Sequence, residues 1–517
     1  MAWHRAAVGA ALFLFGTAVS LAAQDVTLSS PDGAVEITGD LLGFDGEFYR
    51  VETQFGELTV DGSGVVCDGP GCPSLSDFVA ELTLSGSSTM AESLLPALIE
   101  GFALRNGYQT RRNALVDGDF EYLLQRDLAL VARFTFLVSN TDEGFADLLA
   151  NETDVVMALR EIRPNERKLA RDAGLGDVTG PNRSRVLALD ALVPVVAPGN
   201  SVHSISVPQL AQVFAGKITN WKELGGPDAP ISIHLPVSGS GLAQAVEDKV
   251  LGPAKLQLSN DLRRHDRSSD LVRSVAIDPF AIGIGSYAET GAARVLTLTG
   301  SCGFELAAGR RVIKTEDYPL TAPMFLYLPA RRLPKIARDF LGYVRGPAAQ
   351  NVIRRAGFVD QDPELISINV QGRRLANAIE AAGEEVDLTE LQRLVSVLGG
   401  MQRLTTSFRF EAGSTRPDAQ SRANIIQLAR ALEVGVYDTK RLLFVGFSDG
   451  DGPAAGNRKI AVKRAEAVRD AVIKAAETVN LERLQVGVEA FGEALPMACD
   501  DSDWGRQVNR RVEVWLR

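Results

Sequence analysis

Apolar residues fall into different rhythms along this chain, and each rhythm predicts a different kind of element. Between residues 25 and 75, short β-type runs (VTL, VEIT, EFYRVET, ELTV, VVC) are broken by Pro-Asp-Gly, Gly-Asp and Asp-Gly-Ser-Gly turns, which predicts a small β module. From Leu82 to about residue 360, apolar runs alternate with stretches of three-to-four-residue period, the pattern of an α/β fold with a mainly parallel sheet. Residues 371–403 then read as two helices, with Leu375, Ile379, Leu391, Leu394, Val395 and Leu398 supplying apolar faces. Further on, RLLFVGF at 441–447 is a strand running into Ser448-Asp449, and from Asn457 the residues Ile460, Ala461, Ala465, Val468 and Val472 mark a helix with one buried face. Alternation at 511–516 (RVEVWL) predicts the closing strand of a sheet with one covered face.

The first residues carry a different signal. His4 and Arg5, an apolar run over 6–19 and small residues Ser20, Ala22 and Ala23 read as a secretory signal peptide over 1–23. No later run reaches the roughly 18 to 20 apolar residues of a membrane span. A chain of 517 residues with 45% hydrophobic content has room for two to four domains. A net charge of −11 argues against nucleic acid as a partner. Cys67 and Cys72 flank the turn-forming Asp-Gly-Pro-Gly, which predicts a local disulfide; the pairing of Cys302 and Cys499 stays open.

Candidate chemistry lies where strands run into helices. Leu82 to Thr89 (LTLSGSST) ends in hydroxyls ahead of a helix, and so do Val138 to Gly144 (VSNTDEG) and Pro236 to Gly241 (PVSGSG). Unpaired N–H groups at helix starts, supplemented by hydroxyls, suit an oxyanion. Four His without a His-x-x-x-His pair, no Gly-x-Ser-x-Gly elbow and no Walker loop leave no catalytic, metal or cofactor motif. In the C-terminal part, a strand, a tight loop and a returning helix bring Asp449 and Arg464 near one another.

Two resemblances sharpen these readings. Gly86-Ser87-Ser88-Thr89, Thr153-Asp154-Val155 on to Arg160, the block Phe214 to Trp221 (FAGKITNW), Ser238-Gly239-Ser240 and Ala281 to Gly285 (AIGIG) resemble the phosphate-type periplasmic substrate-binding proteins of ABC transporters. That family implies two α/β lobes closing on an oxyanion, with Ala188 to Val196 crossing between them. The implied ligand groups are Ser88, Thr89, Ser139, Thr141, Ser238, Gly239 and Ser240. Where phosphate-specific members commonly place an aspartate this chain has Arg160, and where they often place an arginine it has His234. The expectation is that Arg160 and His234 supply the positive charge, the alternative of nearly equal weight being that Arg160 turns outward to pair with Glu161 or Asp154, and that the cleft discriminates protonation state less than a dedicated phosphate receptor. Ser448-Asp449, Asn457, Arg464-Ala465, Phe491-Gly492-Glu493 and Asn509 to Glu513 (NRRVE) resemble the OmpA-like peptidoglycan-binding domain. There the aspartate and arginine grip diaminopimelate, which implies a wall site of Asp449, Asn457, Arg464 and Arg511.

The sequence therefore predicts a leader (1–23), a small β-rich module (24–78), a two-lobed type II periplasmic-binding-protein core (79–360), a helical linker (361–403) and an α/β OmpA-like sandwich (404–517). The expected function is that of a non-enzymatic, cofactor-free periplasmic receptor for phosphate or a related oxyanion, tethered to peptidoglycan, with an ABC transporter permease as an implied partner. The alternative is a wall-associated scaffold whose solute-binding core is degenerate. A hydrolase on the same scaffold ranks third.

Overall fold

The computed structural model describes residues 25–74, 78–180, 182–411 and 413–517, so the leader expected at 1–23 lies outside the described residues. The chain divides into two units, Met1–Ala80 and Glu81–Arg517. In the first, all five β-type runs lie in strands of one five-stranded sheet among the described residues. Period two decides its faces: in Phe48–Thr53, Tyr49 and Val51 point inward and join Val26 and Leu28 in the core. Cys67 and Cys72 are joined as expected from the turn between them, with Cα atoms 5.8 Å apart.

The second unit is built on a sheet of eleven strands among the described residues. Strand β1 (Ala80–Ser87) is followed, after a helix reaching Asn106 and three antiparallel strands over 109–139, by helix α1 (Thr141–Leu149) and strand β2 (Val155–Ala158), which pairs parallel to β1. All four residues of β2 are buried, as in a strand covered on both faces. Gly86 makes this pairing possible, because at φ +126° a Cβ there would lie 2.3 Å from the Met157 carbonyl oxygen. Strand β3 (Ser184–Val196) is the crossing element. Its second half pairs with β4 (Ala281–Ser286) in the second lobe, and its first half with β5 (Thr321–Tyr327), which returns to the first lobe. Asp190, at the changeover, accepts the Ser286 hydroxyl at 2.6 Å, and burial pushes its carboxyl up to about 6.

Beyond the core, helices α2 (Gly372–Glu380) and α3 (Leu388–Leu398) occupy the stretch read as a linker. They are not a free-standing spacer. Ala378, Leu394 and Leu398 pack with Leu443, Val445, Phe447 and Trp515 on one face of a five-stranded sheet among the described residues. That sheet includes β6 (Gln402–Phe408), β7 (Arg441–Phe447), β8 (Gln485–Gly492) and β9 (Arg511–Leu516), with β9 between β6 and β7. Its other face is covered by α4 (Ala419–Glu433) and α5 (Ala454–Ala475), through Leu428, Leu432, Ala465 and Val468 against Leu404, Leu442 and Val514. A Cβ on Gly446 would sit 2.1 Å from the Ala461 carbonyl oxygen, so glycine lets α5 seat directly on β7.

The sheet thus has two covered faces, not the one that the alternation of β9 predicts. Its polar positions are inside: Arg511 and Glu513 are both 0% exposed. Arg374 from α2 reaches Glu513 at 2.6 Å, and Arg511 reaches it at 2.7 Å. Burial alone raises the Glu513 carboxyl, yet Arg374, Arg403 and Arg511 together bring it down to about 2. Beside it, Arg403 and Arg409 converge on Asp317 of the segment leading into β5, at 2.7 and 2.9 Å. A second staple joins the same parts: Cys302 and Cys499 form a disulfide across 197 residues, with Cα atoms 5.6 Å apart. Among the described residues, no helix is long and apolar enough to cross a membrane.

Candidate binding sites in the cleft and the C-terminal domain

Between the lobes lies a cavity of about 220 Å³. From the first lobe, Ser88 and Thr89 enter at the start of the helix that follows β1; from the second come Ser240, Arg267, Ser268 and Ser286. Ser88 and Thr89 make no side-chain hydrogen bond among the described residues, and no side-chain cap ties Thr89 down. Arg267 precedes the helix Ser268–Ile277 and has no carboxylate partner among the described residues. It is the guanidinium lining this cavity. Glu92, Asp266 and Glu289 line it too, and burial, with Glu92 and Asp270 nearby, raises the Glu289 carboxyl.

The sequence expectations for this site divide. Ser88, Thr89 and Ser240 line the cavity, whereas Ser139, Thr141, Arg160, His234, Ser238 and Gly239 do not. Thr141 is buried; its N–H donates to Gln244 Oε1 of the other lobe at 3.0 Å, and its hydroxyl accepts from Leu159 N–H at 3.1 Å. Ser139 donates weakly to the Asn140 carbonyl at 3.4 Å, and Ser238 and Gly239 sit on an exposed turn. Arg160 is held by Glu166 at 2.6 Å and by Asp142, outside the lining of this cavity, and reaches Asp248 at 3.6 Å. With Arg163, which joins Asp142 to Asp248 of the second lobe at 2.9 Å, it belongs to a latch between lobes. His234 is 1% exposed and shares a 2.9 Å bond with His265. Burial first, then His265 and Arg263, pulls it down to about 4, so it is neutral at pH 7 and supplies no charge. Arg267 is the permanently charged side chain that lines the cavity. It escaped notice although Asp266-Arg267-Ser268-Ser269 gives the same signal as the other openings, polar and hydroxyl residues ahead of a helix.

In the C-terminal domain, β7 delivers Ser448 and Asp449 to the sheet's end. Arg510 donates to Asp449 at 2.6 Å, and Arg464 from α5 lies over the Phe410 ring at 5.2 Å. Arg464 is 5% exposed and has one weak bond, to the Ser414 carbonyl at 3.4 Å. Burial lowers its pKa, Arg510 adds to this, and Asp449 opposes both. The Ser448 hydroxyl is enclosed without a partner. Asn457 braces the loop, donating to Glu493 at 2.6 Å and to the Gly452 carbonyl at 3.1 Å. Arg511, by contrast, spends its donors on Glu513 and on the Asn509 and Leu495 carbonyls, stacked on Phe447 at 4.3 Å. A wholly buried guanidinium cannot meet a wall peptide; its neighbour Arg510 stands beside Asp449 in its place.

Two α/β lobes joined by crossing strands, with hydroxyls and an arginine in the cleft, define a two-lobed binding protein. Residues 73–347 match the model of the PBP superfamily domain and residues 409–510 that of the OmpA family. The chain belongs to the PBP superfamily and carries a C-terminal OmpA domain. It is 22% identical over 197 residues, 37% of this chain and 70% of the relative, to the phosphate-binding protein PstS of Borreliella burgdorferi. Over 112 residues, 22% of this chain and 31% of the relative, it is 30% identical to outer membrane porin F of Pseudomonas aeruginosa. The crystal structure of an ABC-type phosphate transport receptor from Vibrio cholerae is similar at 18% identity and a TM-score of 0.42, covering 54% of this chain and 99% of that one.

Proposed function

We propose that this protein is an envelope-associated, extracytoplasmic receptor whose cleft binds phosphate and whose C-terminal domain holds it to peptidoglycan in the periplasm. The relatives are named as binding proteins and receptors, which supports a non-enzymatic role. The observation that carries the ligand reading is the unpaired Arg267 among the hydroxyls of Ser88, Thr89, Ser240, Ser268 and Ser286. The carboxylates of Glu92 and Glu289 favour an oxyanion that retains a proton, because a carboxylate accepts from P–OH and repels sulfate, which has none. This reverses the weak discrimination expected from Arg160. Calorimetric titration with phosphate and sulfate at neutral pH tests it: saturable phosphate binding, at least ten-fold weaker for sulfate and for Arg267→Ala, is the expected outcome. No heat from either anion refutes it and favours the scaffold reading, for which the cross-lobe bond from Thr141 to Gln244 is the supporting observation.

The wall reading rests on Asp449 and Arg464, opposite charges side by side with the unpartnered Ser448 hydroxyl between strand end and helix. One charged hydrogen bond contributes about 1.5 to 3 kcal/mol, so Asp449→Ala or Arg464→Ala weakens retention on isolated sacculi by roughly ten-fold or more. Equal retention of both variants and wild type refutes tethering through this site.

A further inference from the structure

A larger cavity, of about 440 Å³, lies where both lobes meet the C-terminal domain, and none of the phosphate-site hydroxyls reaches it. Lys249 and Glu316 line it from the core. Neither side chain makes a hydrogen bond or ion pair among the described residues, with each other or with anything else. One oxygen of Glu316 is fully enclosed without a partner, and so are the Tyr318 hydroxyl and the Gln420 Oε1, which belong to lining residues only 1% and 3% exposed. Five of the other charged groups of the lining are already paired, Arg160 with Glu166, Arg409 with Asp317, Glu161 with Arg422, Asp248 with Arg163 and Glu411 with Arg416, and the sixth, Asp418, accepts from the Ser421 N–H as the cap of α4. Apolar surface from Phe325, Phe410 and Trp504 completes the wall.

An acid and an ammonium left without protein partners on the wall of one half-open cavity, both partly buried, present a matched pair of charges to a ligand. We propose that this junction is a second binding site, for a zwitterionic amino compound such as a free apolar amino acid or short peptide. Its ammonium meets Glu316, its carboxylate meets Lys249, and its side chain rests on the aromatic wall. The volume lies in the range of small-molecule pockets. The electrostatics of the lining agree: burial, with Asp418 adding to it, pushes Glu316 up to about 8 although Arg409 and Lys249 oppose it, and burial pulls Lys249 down although Glu316, Asp248 and Asp418 oppose it, so the neighbouring charges fall short of what a bound zwitterion brings. Because the site touches both lobes and the C-terminal domain, its ligand strengthens their junction.

The test is calorimetric titration of the full-length, disulfide-intact protein with L-phenylalanine, L-leucine and L-alanyl-L-phenylalanine. Phenethylamine and 3-phenylpropionate, each carrying one of the two charges, serve as comparisons. We expect saturable binding of at least one zwitterion, weakened ten-fold or more in either single-charge analogue, in Lys249→Met and in Glu316→Gln. Phosphate titration of the same variants, whose substitutions lie outside the cleft lining, is expected to match wild type and shows that they are folded. No saturable binding of any zwitterion, equal binding of the amine or the acid alone, or variants that bind like wild type each overturn the proposal, whatever the phosphate result.

Discussion

Asp317→Asn tests whether the buried ion network holds the C-terminal domain to the binding core. Asp317 is 3% exposed and receives Arg403 at 2.7 Å, Arg409 at 2.9 Å and the Thr315 hydroxyl at 2.8 Å. Asparagine keeps the shape but removes the charge, and turns one oxygen into an N–H₂ that faces a guanidinium. Breaking a buried pair by neutralising one partner costs about 3 to 5 kcal/mol. Arg403 retains Glu513 at 3.4 Å, but Arg409 keeps only the carbonyls of Val508, Thr315 and Glu316, which places the loss near the lower figure, about 3 kcal/mol. Urea unfolding at pH 7, followed by tryptophan fluorescence from Trp504 and Trp515 in this domain, reads the effect. With an m-value of about 3 kcal/mol/M, the C-terminal transition moves down by about 1 M. Burial alone raises the Asp317 carboxyl, but Arg403 and Arg409 hold it far below the ordinary range. Its stabilisation is therefore present above the unfolded value of about 4 and is lost only as pH falls through the depressed folded value, so the variant lacks this acid-dependent loss. A midpoint shift under about 0.3 M, roughly 1 kcal/mol, refutes the reasoning.

Three further outcomes follow from the same geometry. Arg160→Ala leaves Glu166 and Asp142 with Arg163 alone, so thermal stability falls while phosphate affinity stays within about three-fold of wild type; a ten-fold loss of affinity refutes the latch assignment. Reducing Cys302 and Cys499, or replacing both by Ser, frees a 197-residue loop and removes up to about 5 kcal/mol from the C-terminal transition; an unchanged urea midpoint shows the staple is not holding the junction. In NMR titration, His234 protonates near pH 4, and because its folded value lies below the unfolded one, stability declines as pH falls from about 6.5 toward 4; a midpoint above 6 contradicts its burial.

Most of the architecture was legible because it rests on local rules. Runs such as LTLSGSST and RLLFVGF end in residues that cannot continue a strand, and the helices after them show their buried faces by spacing alone. Side-chain destinations were harder. In RVEVWL the polar positions looked solvent-facing, since nothing in the strand itself reveals that Arg374, from a helix more than a hundred residues earlier, covers Glu513. Arg160 and His234 were assigned to the oxyanion by position in a motif. Which way a guanidinium turns depends on partners such as Asp142 and Glu166, supplied by other elements. The pairing of Cys302 with Cys499 was beyond reach for the same reason: it is set by the docking of two domains and not by either alone.

That docking also constrains how the cleft can move. Receptors of this architecture exchange ligand by hinge motion of one lobe against the other, and here the C-terminal domain touches both. To the second lobe it is joined by the Cys302–Cys499 bond and by Trp504, whose indole N–H donates to the Lys249 carbonyl at 2.8 Å. On the first-lobe side Glu161 pairs with Arg422 at 2.5 Å and accepts weakly from the Ala419 N–H at 3.3 Å, Ala419 joins the core cluster of Phe325 and Tyr327, and Arg403 and Arg409 hold Asp317 ahead of β5. Both members of that ion pair are about one third exposed, and pairs so placed contribute about 0 to 1 kcal/mol. A covalent link does not open on the timescale of a hinge, whereas such a pair does. The polar contacts that open at least cost are therefore the Glu161–Arg422 pair and the Arg163 bridge to Asp248, whereas the buried Asp317 network and the disulfide stay closed.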